Sequence, residues 1–61
     1  MKRQDAINII DKKLQEYIKA HSEHEKSMIC GEYLGLVQAF CLCDIISDSD
    51  QLDLIEKLKK S

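Results

Sequence analysis

A chain of 61 residues with no Pro, two Gly and 33% charged residues is too short for more than one domain and is composed for helix rather than for loops or strands. At this length folding buries only about 60% of the surface that the unfolded chain exposes, so the core is marginal without a staple or a partner. The net charge of −2 divides as +1 over residues 1–30, −2 over 31–46 and −1 over 47–61. No segment therefore has the dense basic patch that displaces counterions from nucleic acid, which is set aside as a partner.

The first predicted helix covers residues 3–20. Ile7, Ile10, Leu14 and Tyr17 recur at steps of three and four, Ala6 and Ile18 widen the stripe, and Lys12, Lys13, Gln15, Glu16 and Lys19 face away from it. The boundary that follows is open to three readings. Ser22 and Glu25 have the spacing of a capping box, which starts the next helix at residue 23. Ser27 is a rival cap, and His21, His24 and Met28 could continue the first helix unbroken. A turn between residues 20 and 28 is favoured.

The second predicted helix covers 23–47. Eleven of the fourteen residues from Tyr33 to Ile46 are apolar, and Glu32, Gln38 and Asp44 point in widely separated directions. The helix has no polar face, yet it falls short of the roughly 20 apolar residues that a membrane span needs. A helix apolar all round has to be enclosed. The third predicted helix covers 49–60, capped by Asp48 with Gln51 or by Ser49. Acidic residues fill its first turn and Lys57, Lys59 and Lys60 its last, in keeping with the helix dipole. Leu52, Ile55 and Leu58 form a narrow apolar stripe, broadened by Leu54.

The fold expected is all-α, a two-to-three-helix hairpin or bundle. Two thin amphipathic helices cannot wrap the second helix on every side, and the apolar surface left over would be a patch that monomers rarely carry. A homo-oligomer, most simply a twofold dimer, is therefore expected, with Gly31, Leu34, Gly35, Val37, Ala39, Phe40, Leu42, Cys43 and Ile46 at its interface. Gly31, Gly35, Ala39 and Cys43 recur every four residues on one face. Gly in a helix interior costs about 1 kcal/mol relative to Ala, and close approach of another backbone is the physical reason to accept that cost.

Little in the sequence supports catalysis. His21, His24, Glu25 and Cys30 have helical spacing, but Cys41 and Cys43 lie on different faces, and no CxxC or HExxH is present, so neither metal nor other cofactor is expected. The three Cys are read as free thiols acting as small core hydrophobes in a reducing cytoplasm, with no secretory signal ahead of the first amphipathic turn. Asp48, Asp50 and Glu56 lack the central Gly and the spacing of a calcium loop. No phosphate loop or catalytic triad can be argued, and an enzyme is not expected. A pocket between subunits is the one place for a small ligand, where the polar-tipped Tyr17, His21, His24 and Tyr33 are the candidates.

The segment "GEYLGLVQAFCLCDIISDSDQLDLIEKL", residues 31–58, resembles small helical accessory proteins of phages and mobile elements. In these a Gly-containing helix with an Ala-aromatic or Ala-Leu step runs through an Ile-Ile-Ser turn into a short helix with an acidic start. The resemblance implies a regulator or inhibitor that binds a host protein, and it carries no functional residue across. The function expected is thus interaction, through the outer faces of helix one (Lys12, Glu16, Lys19) and helix three (Asp53, Glu56, Lys57). The rivals are an oligomer that sequesters a metabolite or nucleotide signal and a helix-turn-helix regulator, against which the acidic third helix stands.

Overall fold

The computed structural model describes all 61 residues. It contains three helices and no strand: α1 (Arg3–Lys19), α2 (Glu23–Leu42) and α3 (Asp48–Lys59). Two sets of long-range contacts fix their directions. Lys26 lies over the Tyr17 ring near the α1–α2 turn, and Lys13 pairs with Glu32 farther from it, so α1 and α2 are antiparallel. Arg3 pairs with Asp50 and Asp11 with Lys57, so α3 runs parallel to α1 and antiparallel to α2. The result is an up-down-up arrangement with the longest helix in the middle of the chain.

Local chemistry sets each boundary. Between α1 and α2 the chain turns over residues 20–22, and the Ser22 Oγ accepts the Glu25 backbone N–H at 3.1 Å. Ser27 is not a cap, and α1 does not run through. The reciprocal half of the expected box is displaced by one residue, because the Glu25 carboxylate accepts from the His21 N–H at 3.4 Å rather than from that of Ser22.

Helix α2 ends five residues before the expected position 47. Asp44 adopts φ of 60°, its N–H donates to the Cys41 carbonyl at 3.0 Å, and the Ile45 N–H donates to the Phe40 carbonyl at 2.9 Å. These two bonds form a Schellman motif, with Asp supplying the left-handed residue that is usually Gly. Apolar periodicity alone carries no signal for that stop. The start of α3 also differs from expectation: Ser47, not Asp48 or Ser49, is the cap. Its Oγ accepts the Asp50 N–H and the Asp50 carboxylate accepts the Ser47 N–H, both at 3.1 Å. Asp at the third helical position completes the reciprocal pair that Glu or Gln more often makes.

The core consists of Ala6, Ile10, Leu14, Tyr33, Val37, Ile46, Leu54 and Leu58. Helix α1 is rotated from the expected stripe towards Ala6: Ile7 and Tyr17 are half-buried and Ile18 is exposed. Helix α3 is rotated likewise. Leu54 and Leu58 fill the core, Ile55 is half-buried, and Leu52 is 69% exposed. The rotation of α3 is fixed by Tyr33, whose hydroxyl donates to the Leu54 carbonyl at 2.6 Å inside the core. A buried phenol needs such an acceptor.

Candidate functional site

Of the 20 residues in α2, only Tyr33 and Val37 are fully buried. Helices α1 and α3 cover the inner side of α2 and leave its outer side open. Met28 is 58% and Leu42 85% exposed at the two ends of that side, and Gly31, Gly35 and Ala39 lie exposed between them. A Cβ built on Gly31 or on Gly35 meets nothing within 4 Å. The glycines therefore serve no close approach between helices of the same chain. The outer side is a shallow apolar strip, with Glu32 and Gln38 exposed along it. Beside Leu42 a hollow of about 330 Å³ opens between α2 and α3, lined by Gln38, Cys41, Asp48 and Gln51 as well.

The structure divides the expected interface residues into three groups. Gly31, Gly35, Ala39, Leu42 and Cys43 are exposed. Leu34 and Phe40 are half-buried against the core. Val37 and Ile46 belong to the chain's own core, at 0% and 3% exposure, and are not available to a second molecule. The reason for the last is geometric: Val37 is one turn from Tyr33 on the inner side of α2, and Ile46 folds back beneath α2 after the Asp44 turn. Met28 enters the strip although the sequence reading placed it only at the α1–α2 boundary, beside the rival cap Ser27 or as a continuation of the first helix. Its spacing of seven residues from Gly35 was the available signal.

The expected pocket residues do not converge. Tyr33 is fully buried, and its hydroxyl is committed to Leu54, which removes it from any binding role. Burial, reinforced by the negative charge of Asp11, pushes its pKa up to about 12. Tyr17 lines an open cleft of about 360 Å³ with Glu23, Lys26, Ser27 and Cys30, and Lys26 sits 5.7 Å from the centre of its ring. His21 and His24 are exposed and line no part of that cleft.

Charge is concentrated where α1 meets α3. Arg3 clasps Asp50 through two bonds, Nε to Oδ2 at 2.8 Å and Nη2 to Oδ1 at 2.7 Å. Lys57 lies 3.3 Å from Asp11. Arg3, Asp50 and Lys57 border a cleft of about 310 Å³ that Ile7, Asp53 and Leu54 also line. Both of its cations are already paired with carboxylates, so an anion would have to displace one. The Arg3 hydrogen bonds, with that from the Ser47 backbone, hold the Asp50 carboxyl well below the usual carboxylate range.

All three Cys are free thiols. The Cys41 Sγ donates to Asp48 Oδ1 at 3.3 Å, and this bond, with desolvation, raises the thiol's pKa, the opposite of what a nucleophile requires. No three His, Cys, Asp or Glu side chains come together in a metal-binding group, and no helix is long and apolar enough to cross a membrane. Compared with protein-family models, curated proteins and solved structures, the chain matches none of them.

Proposed function

We propose that this chain is a small interaction protein that works as a homo-oligomer, most simply a dimer, through the outer side of α2. The observation that carries the reading is the apolar strip from Met28 to Leu42, open along the middle helix of a chain that buries only eight residues. Burial of such a strip is the chief driving force for association, and small residues in its centre allow a second backbone to come close. Assembly on α2 leaves the charged outer faces of α1 (Lys12, Glu16, Lys19) and α3 (Asp53, Glu56, Lys57) for a host protein in the cytoplasm. Regulation or inhibition by occupying that protein, without catalysis, agrees with the resemblance to phage and mobile-element accessory proteins.

The test is molar mass by light scattering on reduced protein at micromolar concentration, repeated with Gly35→Leu. The wild type is expected to be a dimer or larger. The variant is expected to be a folded monomer, because the new side chain meets open space within the chain. A monodisperse wild-type monomer refutes the proposal.

A further inference from the structure

Two ion pairs tie α1 to α3 across the cleft between them. Arg3 and Asp50 form one tie, and Asp11 and Lys57 the other. Eight residues separate the ties along α1 and seven along α3, which is about 12 and about 10.5 Å of helix rise. Ile7, one turn after Arg3, and Leu54, one turn after Asp50, lie between the ties and give the cleft an apolar floor. One charged side chain on the lining stands between them, that of Asp53. It is exposed and enters none of the ion pairs. Its neighbours are committed: Asp50 accepts two bonds from Arg3 and one from the Ser47 N–H, and Lys57 holds Asp11.

These commitments select an occupant by charge. An anion has to break a tie. A neutral apolar group covers the Asp53 carboxylate without pairing it, which is costly. A metal ion finds no group of three ligands. A cation on an apolar stem displaces nothing and pairs the one free charge. Resting on the interaction reading above, we propose that the α1–α3 cleft is an anchor point for a protein partner and takes one of its arginine side chains, with the stem on Ile7 and Leu54 and the guanidinium on Asp53. Arginine suits the site better than lysine, because its planar fork gives two parallel bonds to one carboxylate and it sheds water more readily. An exposed ion pair contributes little by itself, so a lone side chain binds only in about the millimolar range and serves to place a larger contact. The cleft shares no residue with the outer side of α2, so holding a partner here does not compete with self-assembly there.

NMR titration of the isotope-labelled full chain tests the proposal, with acetyl-arginine amide and its neutral isostere acetyl-citrulline amide as probes at fixed ionic strength. The arginine probe is expected to give saturable shifts at the backbone amides of Ile7, Asp53, Leu54 and Lys57, and the citrulline probe none. Asp53→Asn is expected to weaken the arginine probe about fivefold, the effect of one exposed ion pair. Glu56→Gln, which removes a carboxylate of α3 outside the cleft, is expected to leave it unchanged. An equal response to both probes, shifts spread over every exposed carboxylate, or an Asp53→Asn variant that binds like the wild type overturns the proposal. Light scattering on the same samples keeps the two readings apart. A dimer without arginine-specific shifts removes the anchor and leaves the oligomer, whereas a monomer with them removes the oligomer and leaves the anchor.

Discussion

Tyr33 ties the rotation of α3 to α2, and Tyr33→Phe isolates that tie because it removes one oxygen and leaves the ring. The lost bond runs from the hydroxyl to the Leu54 carbonyl, 2.6 Å away in the core. A mid-helix carbonyl also accepts from its own helix, so it is not orphaned, and the net cost is that of one hydrogen bond, about 1 kcal/mol. For a domain of this size that lowers the Tm by about 4–8 °C. The measurement is thermal denaturation by far-ultraviolet circular dichroism, with both proteins at one concentration because any assembly makes Tm concentration-dependent.

The same substitution has a second signature, in pH. The Tyr33 pKa rises from its ordinary 10.0 to about 12 in the fold, so the folded chain holds this proton more tightly than the unfolded chain does. The stability this contributes is complete below pH 10 and is lost as pH rises from 10 to 12. Two units at about 1.4 kcal/mol each give a loss approaching 3 kcal/mol across that window. The hydrogen bond favours the wild type by about 1 kcal/mol, so the order of stability is expected to reverse close to pH 11. Every other group is common to the two proteins and cancels in the difference. Urea unfolding of the two proteins between pH 8 and 12, under reducing conditions, reads it directly. A constant difference across that range, or no Tm change at neutral pH, refutes this account of Tyr33.

Two further predictions concern the helix ends. Asp44→Gly places the residue that accepts positive φ without steric penalty at the stop of α2, and should stabilise the fold by about 1 kcal/mol, read as a rise in Tm; an unchanged or lowered Tm would show that Asp44 makes an offsetting contact. Asp50→Asn should flatten the loss of stability in acid. Because the folded carboxyl titrates well below its ordinary range, its contribution is present above about pH 4 and fades as pH falls below that, so wild type and variant should converge in acid and differ most near neutrality. Parallel pH profiles would rule out this role for the Arg3 clasp.

Three helices were readable from spacing and caps, because period-three-four stripes and acidic first turns are local signals. Ser22 was readable for the same reason. What escaped the sequence is non-local or concerns which of several adjacent candidates prevails. Ser47, Asp48 and Ser49 are all good caps, and Ser47 prevails because Asp50 can both complete its box and receive Arg3 from the other end of the chain. Leu52 and Leu54 are equal on a propensity scale, and only the Tyr33 bond and the packing on α2 decide that Leu54 points inward. The outer strip was legible as a residue set around Gly35, but not as a surface. A helix apolar on every side gives no indication of which side its own chain will cover, so Val37 and Ile46 were grouped with residues that face the opposite way.

The two glycines bring stability and assembly into opposition. In the isolated chain Ala at position 31 or 35 meets open space and should gain about 1 kcal/mol each from helix propensity. For a domain whose whole stability is on the order of 3–9 kcal/mol, the pair represents a substantial fraction. If the outer side of α2 is the seam of an oligomer, a Cβ at position 35 stands between the two backbones and pushes them apart. Gly35→Ala then acts with opposite sign on two equilibria: the dilute monomer melts higher, and the dimer dissociates more readily. One melting curve mixes the two, but a concentration series separates them, since only the association part depends on concentration. The expected result is a variant that melts above the wild type at low concentration and loses that advantage as concentration rises. A gain of equal size at every concentration would mean that position 35 faces water in the assembled protein as well, and the seam would have to lie elsewhere on the chain.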